Sequence, residues 1–207
     1  MDSTLRDQAR NANYTNRYSK LIEFHQKVKE EFQEKALIIA GPYWGMNLVL
    51  WARELCDYPA ISLGTSYAYY ISCGASKQGK VRLSIPPLRR WVIAQGLKSW
   101  LNDCLKRLSS KDQAYREFKY LIDNFNTVTN REAALLQVAQ FQKQWYDKIE
   151  VIPKPGRALG LYQDLSAAFV LGKQLPSLPE NALPNSPSKI REAGKVAEQL
   201  MLKCLWG

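Results

Sequence analysis

Residues 36–63, with the sequence ALIIAGPYWGMNLVLWARELCDYPAISL, constrain the fold more than any other segment of the chain. The first apolar run, residues 36–41, contains two β-branched isoleucines and ends at a Gly-Pro pair, which predicts a short buried strand. Residues 46–55 are apolar on nearly every turn and predict a buried helix, and residues 60–64 form a second apolar run. Two buried strands joined by a buried helix predict a right-handed βαβ crossover with parallel strands.

The predicted fold class is α/β, with a partial parallel sheet and a βαβ unit on the N-terminal side and a helix-rich C-terminal part. The predicted parts are an α/β part over residues 1–85, a helical part over 86–175, a proline-rich linker or arm over 176–187, and a C-terminal helix over 188–207. Outside the βαβ unit, spacing and punctuation predict helices over 15–35, 88–108, 112–125 and 129–149, and strands over 81–85 and 157–161.

Composition and targeting signals predict a soluble cytoplasmic protein with no membrane partner. The four cysteines have no C-x-x-C spacing and no neighbouring histidines, which argues against a zinc site and is typical of reduced thiols. The first twenty residues lack the apolar core of a signal peptide, and no apolar run reaches the length that spans a bilayer.

The net charge of +10 is concentrated in residues 77–119, which hold eleven Lys and Arg against three acids, a net charge of +8. A concentrated basic segment attracts polyanions, of which nucleic acid is the commonest in the cytosol. An adjacent arginine pair before Trp91 could bind phosphate. The segment therefore predicts contacts to RNA or DNA through Arg82, Arg89, Arg90, Lys98, Lys106 and Arg107. The alternative is a solvated helix surface that serves solubility.

Ligands of parallel sheets usually lie beyond the carboxyl ends of the strands. Here those ends carry two aromatic residues between glycines and a run of hydroxyl-bearing residues. Aromatic rings could stack a flat ligand such as a nucleobase, and hydroxyls could hydrogen-bond it. The predicted ligand-binding residues are Tyr43, Trp44, Asn47, Thr65, Ser66 and Tyr67. The alternatives are aromatic rings that plug the core and an ordinary turn.

Signatures of known chemistries are missing, so catalytic residues and cofactors stay unassigned and the enzyme question stays open. The sequence contains no P-loop, no G-x-G-x-x-G after a strand, no G-x-S-x-G and no H-E-x-x-H. His25 is the one histidine, and its place beside an apolar stripe favours a core or boundary position. The acids nearest to predicted strand ends are Asp57 and Asp164.

Three segments, FHQKVKEEF, ALIIAGPYWGMNLVLWAREL and YPAISLGTSY, resemble parts of tRNA-guanine transglycosylase-like α/β-barrel proteins, some of which act in 7-deazapurine modification. The resemblance covers at most about a third of the chain and implies a base-binding pocket at the turns after Ala40 and Leu63. The family's aspartate nucleophile is not placed by motif, and its cysteine-rich zinc signature is missing.

Three interpretations of function follow. The leading one is a nucleic-acid-associated α/β protein, related to base-modifying enzymes or part of such an assembly. The second is a non-enzymatic interaction module that docks on a protein partner or a second copy, for which six tryptophans and eleven tyrosines would serve as anchors. The third is a small-molecule enzyme with its pocket at the strand ends.

Overall fold

The computed structural model describes residues 14–32, 35–41, 45–60, 81–182 and 192–205. Within these ranges 68% of the residues are helical and 8% lie in strands. The helices are α1 (Tyr14–Phe32), α2 (Met46–Ala52), α3 (Leu97–Leu105), α4 (Gln113–Asp123), α5 (Phe125–Val128), α6 (Arg131–Glu150), α7 (Arg157–Gln174) and α8 (Lys195–Leu205). The strands are β1 (Ile39–Ala40), β2 (Tyr58–Pro59), β3 (Arg82–Ile85) and β4 (Arg90–Ile93).

The chain is helix-rich with a small parallel sheet of two strands, β1 and β2, and α2 lies between them in the sequence. Ile39 pairs with Tyr58, and Ala40 pairs with Pro59. The side chain of Asp57 links the two chain segments just before the strands. Its Oδ2 accepts a hydrogen bond of 2.7 Å from the backbone N of Ile38. The pairing begins before the predicted second strand over 60–64, most of which lies outside the described residues.

The helix predicted over 88–108 is wrong in its first half. Pro86–Leu88 form a 3₁₀ turn, and β4 then pairs antiparallel with β3, which agrees with the strand predicted over 81–85. Helix α3 begins only after Gly96, whose φ of 73° is a left-handed conformation that glycine adopts without a steric cost. The glycine separates the strand from the helix.

The strand predicted over 157–161 is also wrong, since these residues form the first turns of α7. Thr129 and Glu132 have the spacing of a capping box, the pattern behind the helix predicted over 129–149, but the cap lies one residue later. Asn130 is the N-cap of α6, and its side chain accepts a hydrogen bond of 3.1 Å from the N of Glu132. The hydroxyl of Thr129 instead donates to the carbonyl of Phe125, at 2.7 Å, and ends the preceding helix.

Buried apolar side chains form two clusters. The first core cluster consists of Leu21, Ile22, Ala40, Met46, Leu48–Ala52, Cys56, Phe141, Trp145, Ile149, Leu161, Leu165, Ala168, Ala197, Leu200 and Cys204. The second core cluster consists of Leu83, Ile85, Leu88, Val92, Leu97, Trp100, Leu101, Cys104, Phe118, Leu121, Val128, Leu175, Leu178, Ala182 and Ala193. Each cluster draws on residues from both sides of position 85, and the predicted domain boundaries stay predictions.

The described part of the proline-rich stretch, residues 176–182, packs against the second core cluster. Leu178 and Ala182 are buried there, and the indole Nε1 of Trp100 donates a hydrogen bond of 2.9 Å to the carbonyl of Pro176. After the undescribed residues 183–191, the chain returns to α7 at a glycine contact. A Cβ on Gly172 would lie 2.2 Å from the backbone N of Gly194, so α7 and the residue just before α8 meet backbone to backbone.

Candidate nucleic-acid interface

Asn47 is the one predicted ligand-binding residue that lies within the described ranges. It is buried in the first turn of α2, and its Nδ2 donates a hydrogen bond of 2.9 Å to the carbonyl of Ala60, just after β2. This bond ties the start of the helix to the end of the neighbouring strand. The other predictions for that site, Tyr43, Trp44, Thr65, Ser66 and Tyr67, lie outside the described residues.

The six predicted nucleic-acid-binding cations divide into two groups of three. Arg82, Arg89 and Arg90 lie on or beside the β3–β4 hairpin, and all three are buried or half-buried. The guanidinium carbon of Arg82 lies 4.2 Å from the ring centre of Trp91. These three side chains are therefore engaged with the protein.

Arg90 is in the interior, where its Nη1 donates to the carbonyls of Glu192 and Ala193 at 2.9 and 3.2 Å. It anchors the segment before α8 to β4. A guanidinium in this position is not available to a polyanion, and we leave Arg90 out of the interface.

Arg89 adopts a left-handed backbone conformation with φ of 50° and ψ of 39°, which is uncommon for a residue with a Cβ. Its Nε and Nη2 donate to the two carboxylate oxygens of Asp164, at 2.6 and 2.8 Å. Its guanidinium carbon also lies 5.3 Å from the ring centre of Trp145, over which a cation is attracted. The hydrogen-bonding fork of Arg89 thus faces α6 and α7.

Asp164 accepts from a second cation, Lys148 on α6. The side chain of Asp164 is only 6% exposed, whereas that of Lys148 is 58% exposed. Burial alone would raise the pKa of Asp164, but the hydrogen bonds and charges of Arg89 and then Lys148 outweigh it and lower that pKa. The carboxylate is ionised at neutral pH. Neither Lys148 nor its contact with Asp164 was foreseen, because the sequence carries no local signal for it.

Lys98, Lys106 and Arg107 are exposed on α3 and its C-terminal end. Lys106 forms an exposed ion pair with Asp103 at 2.8 Å, which holds a lysine only weakly. The ammonium of Lys98 lies 5.8 Å from the ring centre of Phe125. The Nη1 of Arg107 donates to the carbonyl of Gln174 at 3.4 Å, a long hydrogen bond.

Two further exposed cations extend this group beyond the six predicted residues. Lys111 lies in the connection between α3 and α4, and Arg116 lies on α4, which packs against α3. The Nη2 of Arg116 donates to the carbonyl of Lys111 at 3.3 Å, which keeps the two residues together. We call the five cations the α3–α4 basic surface: Lys98, Lys106, Arg107, Lys111 and Arg116.

Other titratable groups in the described ranges are structural in character. His25 is buried on α1, and burial lowers its pKa more than a hydrogen bond with the backbone of Leu55 raises it. Burial raises the pKa of Cys56, Cys104 and Cys204 to about 12, so these free thiols are protonated at neutral pH.

Among the described residues, no group of three or more histidine, cysteine, aspartate or glutamate side chains is arranged to hold a metal ion. None of the helices described here combines the length and the apolar character needed to cross a membrane.

Comparison with known proteins gives no relative from which a function could be carried over. No protein-family model, no curated protein and no solved structure matches the chain.

Proposed function

We propose that the protein associates with nucleic acid through the α3–α4 basic surface. The observation that carries this proposal is the exposure of five cations over residues 97–116, against which only two acids, Asp103 and Asp112, stand. A phosphate backbone would displace counterions from such a surface, and this release supplies most of the affinity of non-specific binding.

The interface is smaller than the basic segment of the sequence. Arg82, Arg89 and Arg90 are engaged with Trp91, Asp164 and backbone carbonyls, and we do not count them in this surface. The exposed cations act as backbone-positioning contacts, which bind phosphate without reading bases. We expect affinity for RNA and DNA with little preference for sequence.

The test is fluorescence anisotropy of the full chain with labelled single- and double-stranded RNA and DNA over a salt series. The test variant replaces Lys98, Lys106 and Arg107 with glutamine, which keeps much of each side chain and removes three charges. Each lost phosphate contact makes the slope of log K against log salt shallower by about 0.7 for a single strand or about 0.9 for a duplex. We therefore expect a slope shallower by about two to three.

A matched control removes three charges elsewhere. Lys27, Lys143 and Lys154 are exposed on α1, on α6 and just before α7, and their replacement with glutamine gives the same net charge. The control should retain the wild-type slope. Equal losses in the two variants, or no binding by the wild type at low salt, would contradict the proposal.

The α/β assignment, a βαβ unit and a relation to base-modifying enzymes are finer parts of the same proposal. The parallel pairing of β1 with β2, with α2 between them, supports the unit. The base-binding turns rest on the sequence alone, through the aromatic and hydroxyl-bearing residues at the predicted strand ends and through the resemblance. Quenching of tryptophan fluorescence by a 7-deazapurine base, lost in Trp44→Phe, would support them, and equal quenching in both proteins would contradict them.

A second candidate function is docking of a protein partner, and exposed apolar side chains in and just before the parallel sheet favour it. Leu37 is 75% exposed and Ile39 is 64% exposed, and Ile39 pairs with the exposed Tyr58. Sedimentation velocity over a concentration range tests self-association. An association that Ile39→Glu abolishes would support docking of a second copy, and a monomer at every concentration would contradict a second copy as the partner.

A further inference from the structure

Arg89, Lys148 and Asp164 form a cluster in which two cations share one carboxylate. We call these three residues the Asp164 cluster, and its net charge is +1. It lies between the turn before β4 and helices α6 and α7, apart from the elements that carry the α3–α4 basic surface. A single ion pair would leave no net charge, so the second cation is what requires an explanation.

Both cations keep hydrogen-bond donors that the carboxylate does not use. Arg89 donates to Asp164 from Nε and Nη2, and its Nη1 makes no hydrogen bond among the described residues. Lys148 donates one of its three N–H groups to Asp164. The side chains of Arg89 and Lys148 are 18% and 58% exposed, so part of each is in contact with solvent.

The buried carboxylate orients both donors. Asp164 accepts from Arg89 and Lys148 at once, and with a side chain only 6% exposed it cannot turn away from them. The left-handed backbone of Arg89 aims the guanidinium at α6 and α7, and such uncommon conformations of residues with a Cβ cluster at binding sites. The position is held by a hydrogen bond of 3.0 Å from the N of Arg89 to the carbonyl of Pro86.

The indole ring of Trp145 adjoins the cluster. The indole Nε1 of Trp145 is buried and has no hydrogen-bond partner in the described part of the chain, and the guanidinium of Arg89 lies over that ring. Buried indole N–H groups are usually paired, so the unpaired Nε1 of Trp145 is a second unusual polar group in the ring that Arg89 covers.

We propose that the Asp164 cluster binds a phosphate group, with Arg89 and Lys148 as its direct ligands and Asp164 as the positioning residue. A phosphate oxygen would accept from Nη1 of Arg89 and another from Nζ of Lys148, and its charge would offset the excess cation. The phosphate is either free in solution or the terminal group of a phosphomonoester, and the two sources share this chemistry.

The test is a titration followed in ¹H–¹⁵N correlation spectra of the full chain, at constant ionic strength set with sodium chloride. The reporter is the indole N–H resonance of Trp145, assigned by its loss in Trp145→Phe. Inorganic phosphate is the first probe and phenyl phosphate the second. We expect a saturable shift with inorganic phosphate, and a similar shift with phenyl phosphate assigns the site to phosphomonoesters as well.

The decisive comparison uses two lysines of α6. Lys148→Gln should weaken phosphate binding by about tenfold or more, because a charge-assisted hydrogen bond is lost. Lys143→Gln is the control, since Lys143 is exposed on the same helix and pairs with Asp147 instead, at 2.5 Å. Its affinity for phosphate should equal that of the wild type. Circular dichroism checks the fold of both variants, in which only exposed side chains change.

Two results would overturn the proposal. One is the lack of any saturable shift of the Trp145 indole with either probe. The other is an equal loss of affinity in Lys148→Gln and Lys143→Gln, which would show general attraction of anions to a basic protein. Neither result bears on the α3–α4 basic surface, whose test uses other residues and another ligand.

Discussion

Replacing Asp164 with asparagine should destabilise the protein far more than the same change in an exposed ion pair. The side chains of Asp164 and Arg89 are 6% and 18% exposed, and the substitution leaves the guanidinium without a counter-charge. Removal of one partner of a buried pair costs about 3–5 kcal/mol. Because Arg89 retains some exposure and its contact with Trp145, we expect the lower end, about 3 kcal/mol.

The assay is urea unfolding followed by circular dichroism, with thermal unfolding as a second measurement. A loss of this size lowers the melting temperature by about 6–12 °C in a domain of this length. Asp123→Asn is the control, since Asp123 pairs with Lys119 on the surface of α4 at 2.9 Å and should change little. A loss of less than about 1 kcal/mol in Asp164→Asn would refute the reasoning, because exposed ion pairs contribute stability of only that size.

The same pair predicts a dependence on pH. The pKa of Asp164 is lowered in the folded protein from its ordinary value of 3.8, so its stabilisation is complete above that value. It is lost as the pH falls through the lower folded-state pKa. The difference in free energy of unfolding between wild type and Asp164→Asn should be constant near neutral pH and shrink below about pH 4. A difference that persists or grows in acid would contradict this assignment.

Two further predictions concern packing and thiol chemistry. Gly172→Ala should cost about 1–3 kcal/mol or more in urea unfolding, because the added Cβ would lie 2.2 Å from the backbone N of Gly194 and the helices must separate. Unchanged stability would contradict the backbone contact. Cys56, Cys104 and Cys204 should resist iodoacetamide at pH 8 in the native protein and react in urea, because burial keeps them as thiols. Peptide mass spectrometry measures this, and rapid native labelling of any one of the three would contradict its burial.

Helix positions were predictable where a long stripe of apolar residues at helical spacing contained no glycine or proline. The helices predicted over 15–35 and 112–125 are confirmed with small shifts, as α1 and α4. In both segments the spacing of apolar residues is that of a helix and no glycine or proline interrupts it. Local periodicity is enough in such cases.

The helix predicted over 88–108 is wrong in its first half because the first apolar residues fit the repeat of a helix and also that of a strand. The spacing of Leu88, Trp91 and Val92 fits a helix, but residues 90–93 equally form a strand that pairs with β3. Gly96 was the signal that separates the two, since a glycine inside an apolar stripe often marks a boundary. The pairing of residues 90–93 with β3 favours the strand over the helix.

The sequence showed which segment is rich in basic residues, but it did not show which of these residues are exposed on the surface. Arg89 and Arg90 are neighbours in the sequence, yet the left-handed turn at Arg89 sends one toward Asp164 and the other toward Glu192. Those partners lie 75 and 102 residues away along the chain. No local pattern in the sequence encodes contacts of this range, so the sequence could not separate the buried cations from Lys98, Lys106 and Arg107.

The first core cluster joins α1 to α8, and this has a consequence for how the chain folds as it is made. Leu21 and Ile22 pack in the same cluster as Leu200, and the ammonium of Lys203 donates to the hydroxyl of Ser19 across 184 residues of sequence. The ribosome must therefore deliver α8 before this cluster can close, whereas the second cluster needs only residues 83–193. During that interval α2, all of whose residues are buried in the folded protein, lacks the cover that α8 provides, and transiently exposed apolar surface of this kind is prone to aggregation.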